Sequence, residues 1–422
     1  MNKTETVLRT PRSSLFVRIL AGRTASMMGD QITSLALPWL ILFDTHSPIV
    51  AGVITALGYV PSLVFGLWAG TLVDRLDRRT LLLGSDMGRA LMLATVAAMG
   101  LARVRPPLVL LAALVLVLGS GRLLFQVAFG SWLPDLLGSA RLTHALAAFE
   151  AGDAISVLAG YPLAGSLITL LGPATALGGD MLSYAVSALS LLALPSKDSG
   201  APGSLERADS KARSEKGRRL AHDVWAGFRT LWRSRTQRRV KGLATALYLE
   251  AGSIEILLVT LTQLRLHLPA WQAGLVFAGA GVGGLATSAL GPRLFDQDWR
   301  RGTLFALGEA TIGLLLLARA AAFPHTFAFW LALMGNVILD GGIAMGFVFT
   351  GSATMLLTSS DVRGRTLAAS NLYGSLVRAI SCLGAGALAA SGNPMTPFLV
   401  LAGVCAFGSV LSSRAMRAEE AS

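Results

Sequence analysis

Gly70-Thr-Leu-Val-Asp74-Arg75-Leu-Asp77-Arg78-Arg79-Thr-Leu-Leu-Leu83 is a short charged break between two long apolar runs, residues 49–73 and 80–101. Each run is long enough to cross a hydrocarbon layer, which is roughly 30 Å thick and takes about 20 apolar residues as a helix. A break this short joins two antiparallel helices only if its charges sit in water at one face of the bilayer. Arg75, Arg78 and Arg79 mark that face as cytoplasmic, because short loops rich in Lys and Arg stay inside.

The same alternation runs through the rest of the chain. Apolar runs fall at approximately 16–43, 49–73, 80–101, 107–130, 143–170 and 174–194, then 242–265, 270–292, 302–322, 325–350, 364–390 and 395–413. The 422 residues are 53% hydrophobic and 14% charged, more apolar surface than one soluble core can bury. The runs are continuous and rich in Leu and Ala, whereas a membrane barrel would alternate in short segments. The expected fold is an all-α membrane protein of twelve transmembrane helices.

A net charge of +12 raises the possibility of nucleic-acid binding, but the placement of the charge argues against it. Residues Lys197 to Lys241 alone hold thirteen Lys and Arg against five Asp and Glu. Most other basic residues, including Arg12, Arg18, Arg300, Arg301, Arg363 and Arg365, flank spans on the side assigned to the cytoplasm. The expected location is the inner (plasma) membrane, multi-pass, with both termini cytoplasmic. The first helix is expected to be retained rather than cleaved as a signal.

The polar stretch divides the chain into an N-terminal half (1–194), a basic cytoplasmic linker (195–241) and a C-terminal half (242–422), with six spans in each half. Within the linker, Trp225, Phe228 and Trp232 fall near one helical face. That face suits either an anionic membrane surface or the underside of the bundle. Local features recur at an offset of 221 to 223 residues, pairing Gly29 with Gly252, Gly70 with Gly291 and Asp74 with Asp296. Parallel six-helix halves are one plan for transporters, with the substrate site between them.

Catalytic chemistry finds no support. Cys382 and Cys405 lie inside spans, and the five histidines form no ligand pair. No phosphate-binding loop is present, so ATP is not the direct energy source. The chain is read as neither an enzyme nor a holder of cofactor or metal.

The 70–83 segment closely resembles the signature loop of the major facilitator superfamily, Gly-x-Leu-x-Asp-Arg-x-Gly-Arg-Arg/Lys, with Asp77 in place of the usual Gly. Other pieces resemble its macrolide-efflux and multidrug-exporter branch: Gly29-Asp30-Gln31, Leu37-Pro38-Trp39, Asp86-Met-Gly-Arg89, Leu133-Pro134-Asp135, Asp180-Met-Leu-Ser183-Tyr and Arg363-Gly364-Arg365. Gly160-Tyr161-Pro162-Leu-Ala-Gly165 resembles the antiporter motif, with Tyr161 where that motif has Gly. The resemblance implies the major facilitator fold and alternating access. It also implies a gating cluster of Gly70, Asp74, Arg75, Arg78 and Arg79, to which we assign Arg122.

Ionisable groups inside spans cost at least a few kcal/mol at bilayer depth and are functional candidates by default. Asp86 and Arg89, three residues apart, can neutralise each other. Arg23 and Arg378 can snorkel or pair structurally. Asp180 is read as a structural residue at a helix end. Asp30 lies roughly 22 Å into span one by helical rise, and Glu255 lies nearly as deep in span seven. Glu250, Asp153 and Asp340 are further substrate or proton-coupling candidates, with Glu309 behind them. Trp39, Tyr59 and Phe65 offer aromatic surfaces if they face inward. The expected function is proton-coupled export of amphipathic or cationic small molecules by a monomer. Export of a siderophore and flipping of a lysophospholipid are alternatives on the same fold, and a non-transporting sensor or scaffold is the alternative from another class.

Overall fold

The computed structural model describes residues 12–66, 68–69, 73, 77–137, 139–192, 228–232, 234–295, 298–359 and 362–420. The first group of helices is α1 (Arg12–Thr45), α2 (Pro48–Leu57), α3 (Val60–Phe65), α4 (Arg78–Leu101), α5 (Leu108–Leu137), α6 (Ser139–Leu171) and α7 (Pro173–Leu192). The second is α8 (Arg235–Val259), α9 (Ala270–Leu294), α10 (Trp299–Ala320), α11 (His325–Leu356), α12 (Arg363–Ala389) and α13 (Thr396–Glu420). A π-helical turn, Thr260–Arg265, prolongs α8, and α2 with α3 forms one interrupted rod. Among the described residues, nine segments are long and apolar enough to cross a membrane by length and composition. The rods α1, α9 and α13 fall outside that set; α1 carries Arg18, Arg23, Asp30 and Gln31 along its length.

Local chemistry sets the helix ends. Ser47 caps α2 through its side chain on the Val50 amide at 3.4 Å, with Pro48 in the first turn. Span two is broken at Gly58 and Tyr59 rather than continuous to residue 73. Pro61 supplies no amide hydrogen, so the chain restarts as α3. Gly172 and Gly392 take positive φ of 84° and 87° just past α6 and α12, where an L side chain would be strained. The expected linker limit at 241 moves back, because Ser234 accepts from the Gln237 amide at 3.0 Å and starts α8 seven residues earlier than expected. Arg235, Arg238, Arg239 and Lys241 therefore belong to a helix.

The two groups meet along α6 against α9 and along α2 against α12. Gly165 lies against the backbone of Ala270 and Trp271, Gly274 against that of Tyr161, and Gly52 against that of Cys382 and Gly386. These glycines let backbones touch where no side chain would fit. The largest apolar cluster joins Leu35, Leu42 and Ala164 of the first group to Leu257, Phe277 and Ala385 of the second. All of these contacts lie toward the end of the bundle where α1, α6 and α12 finish. At the opposite end, the Arg79 guanidinium donates to the Leu192 carbonyl at 2.8 Å and satisfies the last turn of α7.

Of the linker, residues 228–232 are described as helix. Leu231 is buried against Ala369, and Trp232 stands edge-on to Tyr373 at 6.0 Å. The underside of the bundle therefore takes this part of the amphipathic stretch; Trp225 lies outside the described residues. The offset repeat carries over to helix pairs, since α1 packs on α6 as α8 packs on α12, but not to the paired glycines. Gly29 packs on Asp180 and Ser183 of α7, whereas Gly252 packs on Arg378 and Ser381 of α12.

Candidate functional site

The deepest charges of the first group form one connected chain. Arg89, 1% exposed, donates to Asp86 Oδ1 at 2.5 Å, to the Tyr184 hydroxyl at 3.1 Å and to the Ser85 carbonyl at 3.2 Å. Its guanidinium lies 4.1 Å above the Tyr184 ring and 5.4 Å from the Phe125 centroid. Gly121 lets the arginine stem pass, since a Cβ there would strike Arg89 Cγ and Cδ. Tyr184, having accepted from Arg89, donates its own proton to Asp30 Oδ1 at 2.5 Å. Asp30 Oδ2 then faces Arg122 at 3.8 Å. Asp86 and Arg89 thus pair as expected, and they also hold Tyr184, which orients Asp30.

Arg122 departs from its assignment to the gating cluster. It lies fourteen residues into α5, about 21 Å by helical rise, and so reaches the middle of the bundle rather than an end. Its guanidinium is 65% exposed beside an Asp30 that is 15% exposed. An exposed arginine at that depth, close to a carboxylate, lines a solvent-accessible interior. Such a pair is worth about 1 kcal/mol in water and about 4 kcal/mol at a protein-like dielectric; the exposure of Arg122 puts this one near the lower value.

The second group brings Glu255 into the same field. Glu255 lies within electrostatic reach of Arg122 and Arg378, with Tyr59 and Tyr161 nearby. Asp153 on α6 feels Arg23, Asp30 and Arg122, and Asp340 on α11 feels Asp153. The five candidate carboxylates, Asp30, Asp153, Glu255, Asp340 and, through Asp340, Glu250, therefore share one electrostatic neighbourhood with Arg23, Arg122 and Arg378. The interior is mixed in charge, with carboxylates outnumbering the guanidinium groups that the spans contribute at matching depth.

Glu250 joins this neighbourhood through Asp340. It is fully buried, and among the described residues the donor beside its carboxyl is the weakly polar Cys405 thiol. Asp180 also differs from its expected role. It sits seven residues into α7, fully buried, accepting from Thr33 at 2.5 Å and Ser183 at 2.9 Å, so it ties α7 to α1 rather than ending a helix. Arg23 packs 4.9 Å from the Phe125 centroid, and Arg378 packs 5.3 Å from Tyr248 and 5.5 Å from Phe347, a cation–π role in place of snorkelling. Trp39 is buried in the core, Tyr59 is partly buried and Phe65 is 56% exposed.

Of the loop, Gly70, Asp74 and Arg75 lie outside the described residues. Asp77, where the signature has Gly, caps α4 by accepting from the Thr80 amide at 2.9 Å and the Thr80 hydroxyl at 2.8 Å. Arg78 opens α4. In α6, Gly160 lies against Met28 and Gln31 of α1, Pro162 sits inside the helix, and Gly165 forms the contact with α9. Tyr161, in place of the motif's glycine, packs on Phe277 at 5.1 Å. The motif is therefore part of the seam between the two groups. Among the described residues, no three of His, Cys, Asp and Glu converge as a metal site would need.

Tyr184, Thr33 and Phe125 were not anticipated as partners. Apart from Tyr184 closing the Asp180-Met-Leu-Ser183-Tyr piece, their signal in the sequence is polarity or aromaticity within an apolar run, which is shared with many lipid-facing residues.

Residues 19–382 match the family model described as Major Facilitator Superfamily. The multidrug efflux pump Tap of Mycolicibacterium fortuitum is 28% identical over 404 residues, 93% of each chain. Macrolide efflux protein A of Streptococcus pyogenes is 35% identical over 72 residues, 17% of this chain and 18% of that one. A bacterial homologue of the iron transporter ferroportin, solved in an inward-facing state, superposes with a TM-score of 0.72 at 16% identity, covering 96% of this chain and 99% of that one. That likeness speaks to the fold alone.

Proposed function

The chain belongs to the Major Facilitator Superfamily, and we propose that it is a proton-coupled exporter of amphipathic cations, working by alternating access in the cell inner membrane. The observation that carries this reading is Arg122, reaching from the first half to Asp30 and into the field of Glu255 of the second. A cationic cargo and Arg122 compete for the same carboxylates, and so does a proton. Taking up a proton frees Arg122 and expels the cation, which couples the two movements. The efflux function named for the Tap relative supports the direction of transport.

The halves 1–194 and 242–422 are the moving bodies, each rocking about the seam of α6 with α9 and α2 with α12. With both termini cytoplasmic, the closed seam lies at the outer face, and the interior charges face the cytoplasm in this conformation. The chain acts as a monomer, and it carries cargo without chemically altering it.

Inverted membrane vesicles given a pH gradient provide the test. Uptake of tetraphenylphosphonium or a macrolide should follow the gradient and fall by about tenfold in Asp30→Asn and in Glu255→Gln at equal protein level, as expected for loss of an intramembrane charge. Unchanged uptake in both variants would overturn the reading. The exposure of Arg122 favours a second reading, in which the cargo is an anionic chelate of siderophore type held by the guanidinium. Inhibition of cation uptake by such anions, relieved in Arg122→Gln, would favour it.

A further inference from the structure

A groove of about 710 Å³ runs along the flank of the second half between α8 and α13, and none of the interior charges just described lines it. Its mouth carries Arg235, Arg238 and Arg239, all exposed and spaced to share one face of the first turns of α8. The same stripe continues inward as Gly242, Leu243, Ala246 and Leu249, while α13 supplies Val404 and Phe407 as the opposite wall. From Arg235 to Leu249 the groove follows α8 for about 21 Å, more than the depth of one leaflet.

Guanidinium groups above a long apolar furrow complement one chemistry in particular. Arginine binds phosphate oxygens in a forked geometry, and the N-terminus of a helix adds its own attraction for an anion. Phe407 is 64% exposed although it lies within the apolar stretch Thr396–Val410, so the furrow opens sideways toward lipid rather than toward the cargo path. Gly242 leaves space at the arginines' foot: a Cβ there would meet nothing within 4 Å. Basic pockets between transmembrane helices are recognised lipid-headgroup sites.

We propose that this groove binds an anionic diacyl phospholipid of the cytoplasmic leaflet, its headgroup phosphate held by Arg235, Arg238 and Arg239 and its acyl chains laid between α8 and α13. The helix that grips the headgroup is the one that carries Glu250 and Glu255. Leaflet composition thereby acts on an element that lines the interior.

Native mass spectrometry of the full chain in detergent, with dioleoyl phosphatidylglycerol or dioleoyl phosphatidylcholine added at equal concentration, tests the assignment. The phosphatidylglycerol adduct should exceed the phosphatidylcholine adduct by about tenfold. The double variant Arg235→Gln/Arg238→Gln should lose that preference. Gly242→Leu fills open space without a clash and should lose the adduct while keeping its elution volume and thermal midpoint. Arg300→Gln/Arg301→Gln, a basic pair away from the groove, should bind as the unaltered chain does. Equal adducts of the two lipids, or variants that bind phosphatidylglycerol undiminished, would overturn the proposal. So would full displacement of the lipid by glycerol 3-phosphate at equal concentration, which would assign the site to a soluble phosphate.

Discussion

The first half embeds its charges in a hydrogen-bonded chain, and the second half leaves several of its own with apolar or aromatic neighbours. Asp86, Arg89, Tyr184 and Asp30 are joined by successive bonds of 2.5, 3.1 and 2.5 Å. Among the described residues, Glu250 has the weak Cys405 thiol as its donor, Arg378 rests beside aromatic rings with its Nε unmatched, and Glu309 has an unmatched oxygen, whereas in the first-half network the unmatched atom is Asp86 Oδ2. Inside a membrane an unmade hydrogen bond is not repaired by water, so the difference is physical rather than decorative. A connected network fixes geometry; isolated groups leave it free to change. The first half thus reads as the rigid side of the site, orienting Asp30 through Tyr184, and the second as the side whose groups are free to change partners.

The largest expected effect breaks the rigid side. Arg89→Ala leaves Asp86 buried without its cation and the Tyr184 hydroxyl without its donor, and should destabilise the fold by about 3–5 kcal/mol, read as the unfolding midpoint in detergent. Replacing both partners, as Asp86→Leu/Arg89→Met, should recover much of that loss. A single variant as stable as the parent would mean that the network holds nothing.

Next in size is the seam. Gly165→Leu forces a side chain against the Ala270 and Trp271 backbone, at a cost of about 1–3 kcal/mol of overpacking. It should also prop the seam apart, so that a cysteine placed at Thr169 gains labelling by a membrane-impermeant reagent. Unchanged labelling would show that closure does not depend on this contact.

Smaller still is Arg122→Gln. The side chain is 65% exposed, so stability should shift by no more than about 1 kcal/mol while transport is lost. Stability loss on the scale of Arg89→Ala would instead make Arg122 part of the rigid side. The smallest structural effect is expected for Glu250→Gln, which removes a carboxyl whose neighbouring donor is the weak Cys405 thiol. If the second half moves protons through Glu250, transport should fall although the thermal midpoint does not.

Much of this was legible from residue order. Hydrophobic run length placed most rods, because lipid demands long apolar helices whatever their neighbours are, but it missed the break in span two and the early start of α8. Asp30 and Glu255 stood out since a charge deep in a span is costly. Three features were not legible, and each depends on contacts distant in the chain. Tyr184 reaches Asp30 across 154 positions. Arg122 looked like an end residue because the polarity of 130–145 blurred where α5 stops. Asp180 looked like a helix end because it follows two glycines, which nothing in the sequence distinguishes from the close approach of α7 to α1. The repeat was visible as an offset, but Gly29 and Gly252 touch different helices, so duplication did not predict the asymmetry between the halves.

The central claim is that a proton and a cationic cargo compete for carboxylates facing Arg122. Proton movement in liposomes holding the purified protein and a pH-sensitive dye, measured under an imposed gradient as lipophilic cations or macrolides are added, tests it most directly. The account predicts a cargo-dependent proton flux that disappears in Asp30→Asn. Cargo movement with no accompanying proton flux, or a flux that Asp30→Asn leaves intact, would contradict it.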